Sequence, residues 1–386
     1  MAKKLLINTE LIESKLNELN VGPEHILIAI DLKKYFPLRR TLTEIFTGRR
    51  RYVRAVDGVS FAIKEGEIFC VAGESGCGKT TLGRTILGLE EATGGMLLYR
   101  PRKEIAEELE AMGFSPVYKD YFLLNYLNTN KSAFKLLRRE LQIIFQDPFG
   151  SLNPRMTIAE ILAEPLIVHG IGTYEERMEK VRKALIDVKL TPPEDFMFRY
   201  PHQLSGGQRQ RVVIARALML NPRFIVADEP VSMLDVSIRA EILKLMLELK
   251  ESYGLTYLFI THDLALARYI CDRIAVMYLG KIVEMGPAEE VINNPMHPYT
   301  RALRAAIPEP DPSNRFKLRE VPIKGEVPSA INIPPGCRFH PRCVYFMEGL
   351  CDKKEPPLVK VGPDRYVACW LYAKKEGVEV ESEERK

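Results

Sequence analysis

A glycine-rich run near residue 75 carries the strongest chemical signal in the sequence. Gly73-Glu74-Ser75-Gly76-Cys77-Gly78-Lys79-Thr80 fits the pattern G-x-x-x-x-G-K-[ST] in full, and Thr81 opens the apolar segment that follows. Residues 68–72 before the run predict a strand and the residues after it predict a helix, which is the context that this motif requires. Glycines let backbone N–H groups point at phosphate oxygens, and a helix N-terminus adds a favourable potential. We therefore predict a nucleotide site in which Lys79 contacts the β- and γ-phosphates and the Thr80 hydroxyl is a ligand of Mg²⁺.

A second motif supplies the carboxylates that nucleotide hydrolysis needs. Residues 224–227 predict a buried strand, and Asp228 and Glu229 stand at its end. We expect Asp228 to hold Mg²⁺ through its water shell, and Glu229 to act as the general base on the attacking water. Taken alone, the two carboxylates fit an ordinary strand end equally well. Together with the phosphate loop, they predict nucleotide hydrolysis.

A third motif, Leu204-Ser205-Gly206-Gly207-Gln208, precedes Asp228 by 20 residues. This arrangement resembles the ATPase subunit of ATP-binding-cassette (ABC) transporters, over about residues 25–310. The resemblance implies further roles. Gln146 would sense the metal and the membrane partner, Asp235 would lie in the loop that contacts a second ATPase subunit, and His262 would contact the γ-phosphate. The resemblance favours Phe36 over Tyr35 as the residue that stacks on adenine, and it implies that Val56 lines the same pocket.

The resemblance also implies that one chain cannot complete a site. The backbone N–H groups of Ser205, Gly206 and Gly207, with Gln208, would bind ATP held on the phosphate loop of a second subunit. The sequence contains one copy of each motif. We therefore expect pairing with another ATPase subunit, either a second copy or, as the resemblance favours, a paralogue. Two transmembrane permease subunits and an extracytoplasmic binding protein would complete the complex.

The order of predicted elements favours an α/β fold. Apolar strands at 68–72, 224–227 and 256–261 alternate with helical periodicity at 157–168, 174–188 and 238–252, which predicts a mainly parallel sheet. The resemblance adds the fold of P-loop nucleotide triphosphatases, with an antiparallel β subdomain and a helical subdomain. We divide the chain into an N-terminal extension (1–24), an ATPase domain (25–310) with an insertion (96–140), and a small Cys- and Pro-rich C-terminal domain (311–386).

Composition excludes several classes of protein. The 386 residues are 46% hydrophobic and 27% charged, an ordinary globular mixture, and 55 basic against 51 acidic residues give a net charge of +4. Such a weak balance does not indicate nucleic-acid binding, so we expect no nucleic-acid partner. The sequence has no apolar run long enough to span a bilayer. We expect a peripheral protein at the cytoplasmic face of the plasma membrane.

Four of the seven cysteines lie in the last 50 residues, at Cys337, Cys343, Cys351 and Cys369. In a cytoplasmic chain, a disulfide framework among them is not expected. Their spacing leaves three states open: an iron–sulfur cluster, zinc and unliganded thiols. The tail, with the run over 144–156 (IFQDPFGSLNPRM), residues 56–61 and residues 297–303, resembles the second ATPase subunit of oligopeptide/dipeptide importers. That resemblance implies a [4Fe–4S] cluster bound by the four cysteines.

The transported cargo and the class of ATPase have alternatives. Importers of the resembling subfamily carry oligopeptides, dipeptides, nickel or oligosaccharides, and the ATPase itself does not touch the cargo. A soluble cassette ATPase that acts outside transport is the other class. A DNA-repair member would carry a long coiled coil before LSGGQ, and the 45-residue insertion has no sustained heptads. The sequence therefore favours an importer subunit for oligopeptides or dipeptides.

Overall fold

The computed structural model describes residues 9–38, 50–307 and 321–373. The first eight residues, most of the Arg-rich tract after Leu38 and the expected boundary between residues 310 and 311 lie outside these ranges. The strands are β1 His25–Pro37, β2 Tyr52–Lys64, β3 Ile68–Ala72, β4 Gly94–Tyr99, β5 Phe122–Leu123, β6 Leu141–Ile144, β7 Phe224–Asp228, β8 Thr256–Thr261, β9 Arg273–Tyr278, β10 Lys281–Pro287, β11 Val359–Gly362 and β12 Arg365–Val367.

The α-helices are α1 Thr9–Glu18, α2 Lys79–Ile86, α3 Lys103–Ala111, α4 Leu124–Leu127, α5 Lys131–Leu137, α6 Pro148–Ser151, α7 Ile158–Val168, α8 Tyr174–Asp187, α9 Glu194–Met197, α10 Gly206–Leu218, α11 Val236–Tyr253, α12 Leu264–Ile270, α13 Ala288–Asn293 and α14 Pro298–Ala305. Pro201–Gln203 and His340–Arg342 form short 3₁₀ turns. Within the described ranges, no helix is long and apolar enough to cross a membrane.

The central sheet has eight strands in the order β11-β12-β10-β9-β3-β8-β7-β6. The five strands from β9 to β6 run parallel. Strands β3, β7 and β8 are buried at every residue, as expected for parallel strands covered on both faces. The register pairs Ala72 with Thr261 and Asp228 with Ile260, so the residues after β3, β7 and β8 meet at one edge. The predicted α/β class is confirmed.

An antiparallel sheet of the order β2-β1-β4-β5 packs beside the central sheet. Helix α1 buries Ile12 and Leu16 against its outer face. Strand β1 extends to Pro37 and so reaches Phe36. The first residues of the predicted insertion, 96–99, belong to β4 and pair with β1, so the added segment begins after them. This segment contains the helices α3, α4 and α5.

Helices α7 to α10 form the helical part of the molecule. Both α7 and α8 begin with capping boxes, in which the side chain of Thr157 or Thr173 accepts from a backbone N–H and Glu160 or Glu176 reaches back. The buried faces of α7, α8 and α10 pack in one core with β6, β7 and β8. The helical periodicity at 157–168 and 174–188 is therefore confirmed.

The C-terminal region continues the central sheet. Strand β12 pairs antiparallel with β10, and β11 pairs with β12 at the sheet edge. The backbone N–H of Ala368 donates to the carbonyl of Val283, 2.8 Å away. A disulfide joins Cys70 of β3 to Cys271, with Cα atoms 5.8 Å apart. The four tail cysteines form no disulfide. The region that carries them is thus built onto the ATPase fold through backbone hydrogen bonds.

Candidate functional site

A cavity of about 700 Å³ lies at the edge where β3, β7 and β8 end. This volume falls in the range of small-molecule sites. The cavity gathers residues that are far apart in sequence and that the motifs predicted. These are Phe36, Ser75, Gly76, Gly78, Lys79, Thr80, Thr81, Gln146, Glu229 and His262.

The phosphate loop leaves β3 and enters α2 in a conformation that needs glycine. At Gly78, φ is +109°, and a Cβ would lie 1.9 Å from the carbonyl oxygen of Ala55. At Gly73, a Cβ would lie 2.3 Å from the carbonyl oxygen of Met277. The Lys79 ammonium donates to the carbonyls of Gly73 (2.7 Å) and Glu74 (3.0 Å). The loop therefore wraps around its own lysine and holds it at the cavity wall.

Cys77 contributes to the loop through its backbone. Its side chain is 4% exposed and packs in the core between the two sheets. Burial raises the pKa of the thiol, although the nearby Lys79 ammonium acts in the opposite direction. The thiol of Cys77 does not line the cavity, so we assign only its N–H to nucleotide binding.

Asp228 and Thr80 form the predicted metal-binding corner. The Thr80 hydroxyl donates to Oδ1 of Asp228, 3.0 Å away. Burial raises the pKa of Asp228, and the neighbouring Glu229 carboxylate adds to the effect. The hydroxyl, carboxylate and amide oxygens of Thr80, Asp228 and Gln146 are hard donors of the kind that Mg²⁺ prefers. A buried carboxylate that resists ionisation fits a position at which a cation would stabilise its charge.

Glu229 is the centre of the predicted catalytic group. Gln146 Nε2 donates to its Oε2 at 2.9 Å, and His262 Nδ1 lies 3.1 Å from its Oε1. The Glu229 backbone is left-handed, with φ +47°, and its N–H donates to the carbonyl of Ile260, 3.0 Å away. A non-glycine residue in this region is strained. The strand end thus turns this carboxylate toward the cavity, beside the two residues expected to act with it.

The wall expected to receive adenine differs in one residue from the sequence interpretation. Phe36 lines the cavity, with Lys34 Nζ 4.7 Å from its ring centroid. Tyr35 points elsewhere, because its hydroxyl donates to Asp57. Val56 was expected in this wall, but it is fully buried beneath the sheet.

Val53 and Ala55 take the place expected of Val56. Successive strand residues face opposite sides, so Ala55 and Val53, one and three positions before Val56, line the cavity while Val56 points inward. Leu303 and Ala330 also reach the cavity, and such small apolar residues carry no sequence signal of a binding role.

Comparison with known proteins agrees with this geometry. A family model for the ABC transporter matches residues 56–232. The oligopeptide transport ATP-binding protein AppF of Bacillus subtilis is 45% identical over 350 residues, which cover 91% of this chain and 98% of that protein. The chain belongs to the ABC transporter family. It is an ATPase, and the resemblance found in the sequence is confirmed.

Other comparisons extend over both regions of this ABC ATPase. A family model for the oligopeptide/dipeptide transporter C-terminal region matches residues 283–351. The dipeptide transport ATP-binding protein DppF of Escherichia coli is 43% identical over 345 residues (89% of this chain, 94% of that protein). The solved dimeric structure of the ATP-binding cassette MJ0796 bound to ADP and Pi has a TM-score of 0.54 and 29% identity, and it covers 68% of this chain and 99% of that chain.

The signature residues of this ABC ATPase lie away from its own cavity. Ser205 caps α10, its side chain accepts from Gln208 N–H, and Gln208 reaches back to the Ser205 N–H, 3.0 Å away. Gly206 and Gly207 form the first turn of the helix, and Asp235 immediately precedes α11. Among the residues that the structure describes, none of these five lines the cavity around Lys79. The capping box takes up the N–H groups of Ser205 and Gln208, so it is Gly206 and Gly207 whose N–H groups lie outside this box.

The four tail cysteines of the ABC ATPase lie near one another. Cys337 N–H donates to the carbonyl of Cys351, 2.8 Å away. Burial, followed by the charges of the other three thiolates, raises the pKa of Cys337 to about 12. Burial, followed by the charges of Cys343 and Cys351, raises the pKa of Cys369 to about 11. Over the ranges described, no group of three or more His, Cys, Asp or Glu is placed to hold a single metal ion.

Proposed function

We propose that this chain is the ATP-hydrolysing, energy-coupling subunit of an importer for oligopeptides or dipeptides. The observation that carries the proposal is the convergence of Lys79, Gln146, Glu229 and His262 on one cavity, in a chain that covers 98% of the length of an oligopeptide transport relative. The match of the C-terminal region to the oligopeptide/dipeptide transporter model supports the cargo class.

In this proposal the cavity residues divide the work on ATP. Phe36 stacks on the adenine, and the loop N–H groups from Gly73 to Thr81 bind the phosphates. Bound Mg²⁺, held by Thr80, Asp228 and Gln146, would supply positive charge to the phosphate oxygens. Glu229 Oε1 or Oε2 accepts a proton from the attacking water, and His262 contacts the γ-phosphate. The left-handed turn at Glu229 fixes the carboxylate for that task.

A second ATPase subunit completes the site in this scheme. Ser205, Gly206, Gly207, Gln208 and Asp235 lie on a part of the surface away from the cavity around Lys79. The start of α10 has the free N–H groups and the dipole that favour a phosphate. The dimeric cassette among the solved relatives supports a pair, and we infer a paralogue as the second member.

A groove beside Gln146 supports docking of membrane subunits. It is lined by Phe145, Leu89 and Val168 among others, and the side chains of Leu89 and Val168 are about half exposed. Ile167 and Phe149 add exposed apolar surface nearby in sequence. An exposed apolar groove next to the glutamine that touches Glu229 is suited to couple a permease to hydrolysis. We therefore place the chain at the cytoplasmic face of the membrane, bound to two permease subunits and, through them, to an extracytoplasmic binding protein.

We further propose a [4Fe–4S] cluster on Cys337, Cys343, Cys351 and Cys369. Burial and the charges of neighbouring cysteines raise the thiol pKa values of Cys337 and Cys369, and a cationic iron cluster would offset the repulsion between their thiolates. The resemblance of the tail to the oligopeptide/dipeptide importers supports a cluster over zinc, and the cysteine spacing agrees with it, because zinc sites more often show C-x₂₋₄-C pairs. The cluster would stabilise a region with little core of its own.

The function is tested by Glu229→Gln in the assembled transporter. We expect ATP hydrolysis and peptide uptake to fall together by about a hundredfold or more, with ATP binding retained, because the base is lost and the phosphate loop is not. Unchanged hydrolysis would refute the assigned base. If the transporter coupled ATP hydrolysis to the uptake of another cargo, such as nickel, and not to the uptake of peptides, the proposed cargo class would be refuted.

The cluster has its own test. Protein purified without oxygen should contain about four irons and an absorption band at about 400 nm that bleaches on reduction. Cys343→Ser should lose the band, and Cys77→Ser, which leaves the four tail thiols in place, should keep it. Stoichiometric zinc without iron would refute the cluster.

A further inference from the structure

The segment between the first two tail cysteines is packed against the ATP cavity. Phe339 is 1% exposed, and its ring lies between those of Tyr278 (5.3 Å between centroids), Tyr299 (5.5 Å) and His297 (5.7 Å). Such a buried aromatic contact fixes the segment on the ATPase fold. This packing also holds in place the two nearby arginines, Arg338 and Arg342.

Arg342 binds a residue of the phosphate loop. Its two terminal nitrogens donate to the two carboxylate oxygens of Glu74, at 2.8 and 3.2 Å. The Arg342 side chain is 8% exposed, and the guanidinium carbon lies 5.9 Å from the ring centroid of Tyr278. A paired fork of this kind is strong and directional. The Glu74 N–H also donates to the hydroxyl of Tyr299, 2.8 Å away, so this loop residue is held at both its side chain and its backbone.

Arg338 binds Asp57 of β2, two residues after Ala55, which lines the cavity. It donates to the carboxylate of Asp57 and to the carbonyl of Leu279. The side chains of Arg338 and Asp57 are 7% and 9% exposed, so the ion pair is almost completely buried from solvent. Burial would raise the pKa of Asp57, but hydrogen bonds from Tyr35 and Arg338 outweigh it and the pKa is lowered. Asp57 therefore stays charged and joins the two strands that present Phe36 and Ala55 to the cavity.

We propose that Arg338 and Arg342 are positioning residues for the nucleoside triphosphate. Arg342 holds the phosphate loop and neutralises Glu74, which itself lines the cavity, so that its charge does not repel the triphosphate. Arg338 holds Asp57, which joins β1 to β2, the two strands that present Phe36 and Ala55 to the cavity. The tail segment is thereby part of the nucleotide site, and neither arginine needs to touch ATP. The inference depends on the ATP cavity and not on which cargo the transporter carries.

The test is a rescue experiment on the full chain with a fluorescent ATP analogue and Mg²⁺. We expect Arg342→Gln to weaken binding about tenfold, because an unpaired carboxylate is left beside the phosphates. The double variant Glu74→Gln/Arg342→Gln should recover at least about fivefold of the affinity that Arg342→Gln loses, because no carboxylate is then left unpaired beside the phosphates. A merely structural role for Arg342 predicts that the double variant binds as weakly as Arg342→Gln, which would overturn the proposal.

Three further variants keep the test independent of folding. Arg342→Lys retains the positive charge beside Glu74 and should bind within about threefold of the wild type. Arg338→Gln should weaken binding, and adding Asp57→Asn should restore most of it, because the buried carboxylate is then neutral. Wild-type affinity in both Arg338→Gln and Arg342→Gln would overturn the proposal.

Arg365 supplies a matched control. It is another tail arginine in a largely buried ion pair, and its Nη2 lies 3.1 Å from Oε1 of the fully buried Glu284. The pair joins the tail to β10 and lies outside the cavity lining. We expect Arg365→Gln to lower the melting temperature with ATP affinity within about twofold of the wild type. If Arg365→Gln weakened ATP binding as much as Arg342→Gln, general loosening of the tail would explain both and the proposal would fail.

Discussion

Two glycine-rich loops in this molecule precede helices, and they face different surroundings. The phosphate loop before α2 curls around Lys79 and faces a cavity that its own chain closes with Gln146, Glu229 and His262. The signature loop before α10 is held by the capping box of Ser205 and Gln208, and none of the described cavity-lining residues comes from it. In the proposed scheme, the first loop would bind ATP on its own chain, and the second loop would contribute to a site on another subunit.

The largest effect is expected from a variant that disrupts only the phosphate loop. Lys79→Ala should weaken ATP binding by the isolated chain about a hundredfold, because the charged contacts to the β- and γ-phosphates are lost. Equilibrium binding of a fluorescent ATP analogue measures this. Lys189→Ala, at an exposed ion pair with Glu248, is the control and should bind normally. Wild-type affinity in Lys79→Ala would show that the cavity is not the ATP site.

Asp228→Asn should separate stability from activity in the metal corner. The raised pKa means that ionised Asp228 opposes folding, a cost absent below the pKa of the unfolded chain and fully present above the folded pKa. In EDTA at pH 7 we therefore expect the variant to melt at a higher temperature than the wild type, with the advantage shrinking toward about pH 4. Mg²⁺-dependent hydrolysis should be lost.

The control for that variant is Glu241→Gln, at a carboxylate that is 60% exposed and pairs with Arg211. We expect melting and hydrolysis close to those of the wild type. A melting temperature of Asp228→Asn below that of the wild type across the same pH range would contradict the burial argument.

The smallest expected effect concerns the cap of the second loop. Ser205→Ala removes the acceptor of the Gln208 N–H and should lower the free energy of unfolding by about 1 kcal/mol. Chemical denaturation measures it, and ATP binding by the isolated chain should not change. Weaker ATP binding in this variant would mean that the signature loop contacts nucleotide on its own chain.

The parts of this molecule that the sequence predicts are those in which each motif requires one local conformation. The glycines around Lys79 and the carboxylates after β7 can be placed because strand, turn and helix follow one another directly. The sequence does not predict the side of a strand that a residue faces near an irregular register, and this is why Val56 was expected in the wall that Val53 and Ala55 form. Nor does it predict contacts across 281 residues, such as Arg338 with Asp57, because nothing local marks them. Arg338 and Arg342 carry no local sign of a role at the nucleotide site, and only the packing of Phe339 and their ion pairs show what they contact.

The central claim is that the signature loop of this chain acts on ATP held by another subunit. Gly206→Asp tests it most directly, because a Cβ at Gly206 meets only ordinary contact with Leu234 at 3.6 Å, and an acid in the first turn suits the helix. In the assembled transporter we expect ATP hydrolysis to fall at least about tenfold, since the new carboxylate repels the γ-phosphate. ATP binding to the isolated variant should match the wild type. Wild-type hydrolysis by the assembled variant, or loss of ATP binding in the isolated chain, would contradict the account.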